Sequence, residues 1–138
     1  MASPPRITEW LTEVDNIALS STVASPDTEA RYVRAMAVLM RMRPEGLGGA
    51  SLTAAGEADV MRAVMAGACE TAALRLLPYD SQIMTSTSAA GHYLATVRLN
   101  GQCRESTSSG GTFALAMISA LALSAVEHYH ELAGTMPG

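Results

Sequence analysis

Lysine is absent from this chain, and all nine basic side chains are arginines, set against thirteen aspartates and glutamates. The net charge of −4 disfavours broad nucleic-acid binding through a basic surface. Without lysine there is no Walker-type phosphate loop, and no G-x-G-x-x-G motif occurs either. A lysine-free composition rich in alanine, glycine and arginine is typical of a GC-rich genome, so we expect a bacterial or phage origin.

Cysteine is also scarce, with Cys69 and Cys103 as the only two and no C-x-x-C pair. We expect both to be buried free thiols, with no metal site and no cofactor. The first ten residues lack a basic segment followed by an apolar one, so we predict no signal peptide and a cytoplasmic location.

Charged residues are few, at 16% of the chain against a typical value of about 25%, while apolar residues make up 49%. The length of 138 residues suits one domain, which we place at 1–138, with 1–5 disordered. So little charge leaves two expectations, a deeply buried helical core or a surface patch that a partner covers.

Apolar spacings of three and four residues predict helices over 6–21, 27–43 and 51–78. Asp27 is the expected N-cap of the second helix, and Ser51 or Thr53 that of the third. Pro44 with its neighbouring glycines ends the second helix, and Pro78 ends the third. Gly67 lies in the middle of the third prediction, where close packing of another helix would compensate for its low helix propensity.

After a polar linker at 79–91, the segment 92–107 predicts a β-hairpin around Asn100-Gly101. A two-residue turn pairs Leu99 with Gln102, Val97 with Arg104 and Ala95 with Ser106. The second strand would then place polar groups on the apolar face of the first, so we expect it to be less buried and near an edge. A longer turn would change this register.

The last predicted helix, 112–134, carries apolar residues in every direction and no charge from Phe113 to Val126. That uncharged stretch is shorter than the ~20 residues needed to span a membrane. A helix without a polar face must be surrounded by other elements or by a second subunit. The fold class is therefore α+β and mostly helical, with about four helices around an apolar C-terminal helix and one β-hairpin at about 92–107.

One candidate site is an anion site at the start of that helix. Gly110, Gly111 and Thr112 form a glycine turn that could expose backbone N–H groups to an anion, with Arg104 leaning in from the hairpin. The alternative is structural: Thr112 caps the helix, and the glycines let the chain turn.

Catalytic and metal chemistry find little support in the sequence. In the "EHYHE" segment, His128 and His130 point about 200° apart on a helix and cannot share a metal. We expect this segment to be a solvated last turn. Serine-nucleophile motifs are absent, and apolar neighbours in mid-helix would make the Cys69 thiol inert. We predict no catalytic residue and no enzyme.

Three arginines of the second predicted helix, Arg31, Arg34 and Arg41, form a narrow basic stripe. They could pair with Glu9 and Glu13 of the first helix, or form an interface with a partner protein. Methionines are numerous, and their helical spacing favours core positions, which applies to Met36, Met40, Met42, Met61, Met65 and Met84.

The segment "HYLATVRLNGQCRESTSSGGTFALAMISALALSA", about a quarter of the chain, resembles small phage and prophage proteins of the phage ABA sandwich type. The resemblance implies a phage or mobile-element accessory protein and transfers no catalytic residue. The absence of a catalytic constellation, the high apolar fraction and the few charges lead us to expect a small, acidic, non-catalytic protein that binds or inhibits a partner protein or assembles with itself. We also expect it to be a homo-oligomer. Two alternatives are a small-molecule or anion-binding domain at Gly110-Gly111-Thr112, with or without enzymatic activity, and a structural phage component.

Overall fold

The computed structural model describes residues 4–43, 52–78 and 80–134, with side chains described from 7 to 131. Within these residues the chain forms five α-helices and three strands, so the predicted class, α+β and mostly helical, is confirmed. The elements are α1 (Pro4–Ser20), α2 (Glu29–Arg41), α3 (Ala54–Met65), α4 (Cys69–Arg75), β1 (Gln82–Thr87), β2 (Tyr93–Arg98), β3 (Ser106–Gly110) and α5 (Phe113–Gly134).

Helix α5 is the centre of the fold, because every residue from 114 to 122 is buried. The sheet contacts it through β2 and β3, and α1, α2 and α4 pack against it as well. The prediction of a surrounded helix is confirmed, and this chain's own elements surround it over those residues. Each fully buried side chain, such as Leu115, Ile118 or Leu121, stabilises the fold by about 1.5–3 kcal/mol.

Two buried serines of α5 fasten it to its neighbours. Ser119 Oγ donates to the carbonyl of Ala18 in α1 at 2.6 Å and lies 2.6 Å from Ser108 Oγ in β3. Ser124 Oγ donates to the carbonyl of Val97 in β2 at 2.8 Å. Because a buried hydroxyl without a partner would be costly, these bonds favour one seating of the helix.

The strands form one antiparallel sheet in the order β1-β2-β3. The predicted turn is present, since Gln102 N–H donates to Leu99 O at 2.9 Å and Gly101 has a φ of 86°. The predicted register beyond it is wrong by two residues, because 103–105 loop out before pairing resumes. The observed pairs are Val97 with Ser106, not Arg104, and Ala95 with Ser108, not Ser106.

The predicted linker contains a strand that sequence reasoning missed. β1 pairs with β2 over its whole length, from Gln82 opposite Arg98 to Thr87 opposite Tyr93. β3 does lie at an edge, but Ser106 and Gly110 are buried, and five of the six residues of β1 are exposed. The least buried strand is thus β1, not the second strand of the predicted hairpin.

The third predicted helix is two helices, because the chain turns at residues 66–68. Gly67 adopts a φ of +78°, and a Cβ there would meet no heavy atom within 4 Å. The expected close packing at Gly67 is therefore wrong, and its role is to end α3 in a left-handed conformation. Thr53 is the cap of α3, accepting from Gly56 N–H at 2.9 Å, as predicted.

Asp27 does not cap α2. It lies in a 3-10 turn, Pro26–Thr28, and accepts a hydrogen bond from Ser25 Oγ at 2.6 Å. Thr28 is the residue before α2. Pro4 and Pro5 belong to α1. Residues 1–3 of the expected disordered start, Ser51, and Pro44 with the glycines after it lie outside the described residues.

Only some of the methionines occupy core positions. Met36 and Met40 are buried and Met61 is half-buried, as expected. Met42, Met65 and Met84 are 67%, 85% and 71% exposed, so the core prediction is wrong for these three.

Candidate functional site

The outward side of α2 carries the three arginines of the predicted stripe together with apolar residues. We call this set the α2 outer face, and all its members are exposed: Arg31, Arg34, Ala35, Val38, Arg41 and Met42. Wound at about 100° per residue, the six lie within a strip roughly 120° wide. The opposite side of α2 is buried in the core through Val33, Met36, Ala37 and Met40.

A buried hydrogen bond holds α1 against α2. Trp10 Nε1–H donates to the carbonyl of Leu39 at 2.7 Å. Because Trp10 is itself almost fully buried, this bond satisfies its only polar group while its rings fill the space between the helices. The α2 outer face is therefore carried on a helix packed on its other side, which suits it to rigid recognition.

The three arginines differ in their surroundings. Arg41 Nη1 forms an ion pair of 2.8 Å with Glu57 of α3, not with Glu9 or Glu13 of α1. Arg31 lies with its guanidinium 5.5 Å from the ring centroid of Tyr32. Among the described residues, neither Arg31 nor Arg34 has an ion-pair partner. The N–H donors of these two guanidinium groups are therefore available to bind a carboxylate of a partner.

The apolar part of the face borders a groove of about 430 Å³ between α1 and α2. Its walls are Glu13, Asn16, Ile17, Ala35, Val38 and Leu39. Val38 is 41% exposed and Met42 67% exposed, one helical turn apart. Helical spacing alone does not tell which apolar side of a helix meets a neighbouring element, so the exposure of Val38 and Met42 could not be predicted from it.

The predicted anion site is occupied by a carboxylate of the chain itself. Thr112 Oγ1 donates to Glu29 Oε2 at 2.7 Å and accepts from Leu115 N–H at 3.1 Å, so Thr112 is the cap of α5. Glu29 is the first residue of α2, and Cys69 at the first position of α4 lines the same cavity. The starts of three helices thus meet at one carboxylate, where their dipoles favour negative charge.

The two glycines of that candidate site differ in how much room surrounds them. A Cβ on Gly110 would lie 2.7 Å from Ala116 N and 2.9 Å from Leu115 Cβ, so only glycine lets β3 approach α5 this closely. A Cβ on Gly111 would lie 3.4 Å from Pro26 Cγ, an ordinary contact.

Arg104 does not approach the start of α5. The backbone N–H groups of Cys103 and Arg104 donate to the two carboxylate oxygens of Glu131, at 2.8 and 3.3 Å. Glu131 lies near the other end of the 22-residue helix, roughly 30 Å from Thr112. The four residues of the predicted anion site are therefore not brought together.

The carboxylate of Glu131 attaches the 99–105 loop to α5 through these two hydrogen bonds. The backbone N–H of Cys103, foremost, lowers the pKa of Glu131, helped by Arg104 N–H and opposed by burial. One turn earlier, His128 is buried, and a Cβ on Gly101 would lie 3.7 Å from its Cε1. The expectation of a fully solvated last turn is thus wrong at His128, although Glu127 and His130 are exposed.

The environment of His128 favours its neutral form. Burial, and then the positive charge of Arg43, lower the pKa of His128, while Glu131 opposes this. His128 Nδ1 has no hydrogen-bond partner in the described part of the chain. The His128 ring is therefore a buried structural group beneath the Asn100-Gly101 turn. Among the described residues, it belongs to no group of three or more His, Cys, Asp or Glu side chains that could hold a metal ion.

The two thiols lie in different environments, so the expectation that both are buried is wrong. Cys69 is buried and Cys103 is exposed. Burial, and then the charge of Glu29, raise the pKa of Cys69, opposed by the charge of Arg34. Cys69 is at the start of α4 rather than in mid-helix, and its burial there favours the protonated thiol.

Across 4–43, 52–78 and 80–134, no group of three or more His, Cys, Asp or Glu side chains is placed to hold a metal ion. In the same ranges, no helix combines the length and the apolar character needed to cross a membrane.

Comparison of the chain with known protein families, curated proteins and solved structures finds no match.

Proposed function

We propose that this protein is a small, non-catalytic interaction protein that binds another protein through the α2 outer face. The observation that carries the proposal is the union, on one exposed strip, of three arginines with Val38 and Met42. Arginine and methionine are enriched at protein interfaces. A guanidinium group donates two parallel hydrogen bonds to one carboxylate, and the flexible methionine side chain adapts to the surface that it meets.

The partner surface that fits this strip is acidic along one side and apolar along the other. Arg34 and Arg41 lie on the side of α2 nearer α3, while Ala35 and Val38 border the groove with α1. An amphipathic helix with acidic residues beside its apolar stripe fits this surface. Its apolar stripe would pack into the groove between α1 and α2, and its carboxylates would bind the guanidinium groups of the α2 outer face. Binding or inhibition of such a partner would follow from occupying its surface.

The two other functions have less support. An anion site at the start of α5 would have to displace Glu29 from Thr112, and Arg104 lies at the far end of that helix. A structural phage component would assemble with itself. We also propose a bacterial or phage origin for the protein. This rests on the lysine-free composition and on the likeness of residues 92–125 to phage ABA sandwich proteins.

The first prediction uses site-specific photo-cross-linking in the organism that carries the protein. A benzophenone amino acid replaces Val38 on the α2 outer face, with Leu74 of α4 as the matched control, since the two side chains are 41% and 44% exposed. We expect a defined cross-linked protein from position 38 and none from position 74.

Charge reversal then tests the arginines. Arg34→Glu should abolish the adduct from position 38, whereas Arg75→Glu, which reverses an exposed arginine on α4, should leave it. An adduct that survives Arg34→Glu, or equal adducts from both positions, would contradict docking at the α2 outer face. Circular dichroism establishes that each variant is folded.

A further inference from the structure

β1 is an edge strand whose outward backbone groups are not paired within the described sheet. Five of its six side chains, all except Ile83, are exposed. On the side of the sheet away from α5, Met84 is 71% exposed, while on the α5 side Thr85 and Thr87 are exposed as well. Within the described residues, both faces and the outer edge of β1 are therefore open in one copy of the chain.

Proteins normally protect such an edge, and β1 carries none of the usual devices. Its sequence, QIMTST, has no charge and no proline. Its register with β2 runs without interruption from Gln82 to Thr87, so no bulge twists it away. An unprotected edge of this length is a template for another strand.

We propose that β1 pairs antiparallel with β1 of a second copy of this chain, with Met84 of one copy opposite Met84 of the other. The contact joins two three-stranded sheets into one of six strands. It is independent of the partner proposed for the α2 outer face, which lies on a different element.

Charge favours a second copy over a charged partner as the occupant. Each copy has a net charge of −4, so two copies repel one another least where the surfaces in contact carry no charge. β1 provides such a surface, because it contains no charged residue. The neighbouring Arg98 is held within its own copy by two hydrogen bonds to Gln82 Oε1, at 3.1 and 3.0 Å.

Symmetry restricts the register to a few choices. In a twofold antiparallel pair one residue lies opposite itself, and both copies present the same face to the same side. Met84 on the axis brings the two most exposed apolar side chains of the strands within cross-strand contact and places Ile83 opposite Thr85. Thr85 on the axis would leave each Met84 opposite Ser86 and gain less apolar burial.

The helical layers leave room for this arrangement. Thr85 and Thr87 lie on the α5 side yet are exposed, so the helices stop short of β1. Two adjacent β1 strands make an uncovered strip about 10 Å wide. Helices pack at interaxial distances of about 8–10 Å, so the layers of the two copies can sit side by side over the joint sheet.

The second prediction is tested by light scattering coupled to size-exclusion chromatography. The wild-type protein should have twice the chain's mass of 14.4 kDa. Met84→Lys places two like charges opposite each other on the axis and should give the monomer mass. Met65→Lys, at a methionine that is 85% exposed at the end of α3, is the matched control and should stay dimeric.

A wild-type monomer at high concentration, or a folded Met84→Lys variant that stays dimeric, would overturn the proposal. If circular dichroism shows Met84→Lys to be unfolded, Ser86→Lys on the same face is measured in its place. In a Cys103→Ser background, a short thiol cross-linker should join two copies of Met84→Cys but not of Met65→Cys, and the reverse result would overturn the register. Arg34→Glu should leave the dimer intact, which separates this test from that of the α2 outer face.

Discussion

Single residues decide how closely the sheet and α5 approach each other. Gly110 lies where any Cβ would enter the backbone of α5 near Ala116, whereas its neighbour Gly111 has ordinary room beside Pro26. The two glycines are adjacent and identical in sequence terms, so only the structure distinguishes the essential one from the tolerant one.

The third prediction concerns this pair. Gly110→Ala should lower the free energy of unfolding by about 1–3 kcal/mol, because the added methyl group overpacks the contact between β3 and α5. Gly111→Ala should change it by no more than about 0.5 kcal/mol. Urea denaturation of both variants measures the difference, and equal effects would contradict the assigned packing role of Gly110.

At the scale of elements, Gly67 separates α3 from α4. A helical periodicity runs through this glycine without interruption, which is why the sequence predicts one long helix. The structure shows a φ of +78° there and open space around the missing side chain. Cys69 therefore begins a new helix and lines the same cavity as Glu29.

The fourth prediction concerns Gly67→Ala, which should change the free energy of unfolding in opposite directions for a continuous helix and for the observed break. In a continuous helix, Gly67→Ala would raise the free energy of unfolding by about 1 kcal/mol. With the left-handed conformation observed, the same change should lower it by roughly 1–2 kcal/mol. Gly67→Asn should cost less, because asparagine tolerates that conformation. Chemical denaturation decides, and stabilisation by alanine would contradict the break.

At the scale of the whole molecule, the 99–105 loop joins the sheet to the end of α5 through two titratable groups. Glu131 binds the backbone of Cys103 and Arg104, and His128 lies under Gly101. The pKa of each is lowered in the folded chain, so the unfolded chain takes up protons first as pH falls. Stability is therefore greatest above the ordinary values of both groups.

The fifth prediction follows from that sign. The free energy of unfolding should begin to fall as pH drops below 6.5, the ordinary value for His128, and should fall further below 4.5, that of Glu131. His128→Gln should remove the first decline, whereas the control His130→Gln, at an exposed histidine, should keep it. Urea titrations between pH 8 and 4 provide the measurement, and an unchanged first decline in His128→Gln would refute the role of burial.

How far the sequence predicts this molecule differs between its parts. The apolar run of α5, the caps Thr53 and Thr112, and the Asn100-Gly101 turn are local patterns, and all are found. The β1 strand was missed because QIMTST is short and polar and becomes a strand only by pairing with β2. Its alternation of β-branched residues before the next turn was the available signal.

The candidate site was predicted only in part. The arginines of α2 could be placed on one stripe from spacing alone, but their partners could not. Glu57 comes to Arg41, and Glu29 comes to Thr112, from positions distant in the chain. Such pairs depend on how helices pack, which local spacing does not encode.

The sequence by itself determined the class of the fold and the central apolar helix. It also determined that arginine, with no lysine, supplies the permanently charged basic side chains. These follow from composition and short-range periodicity, which act within one element. Tertiary structure alone decided that Glu29 occupies the helix starts, that Arg104 lies far from them, and that Met84 and Val38 face outward. The physical reason is that exposure and charge pairing depend on which elements become neighbours, and that is settled only when all of them pack around α5.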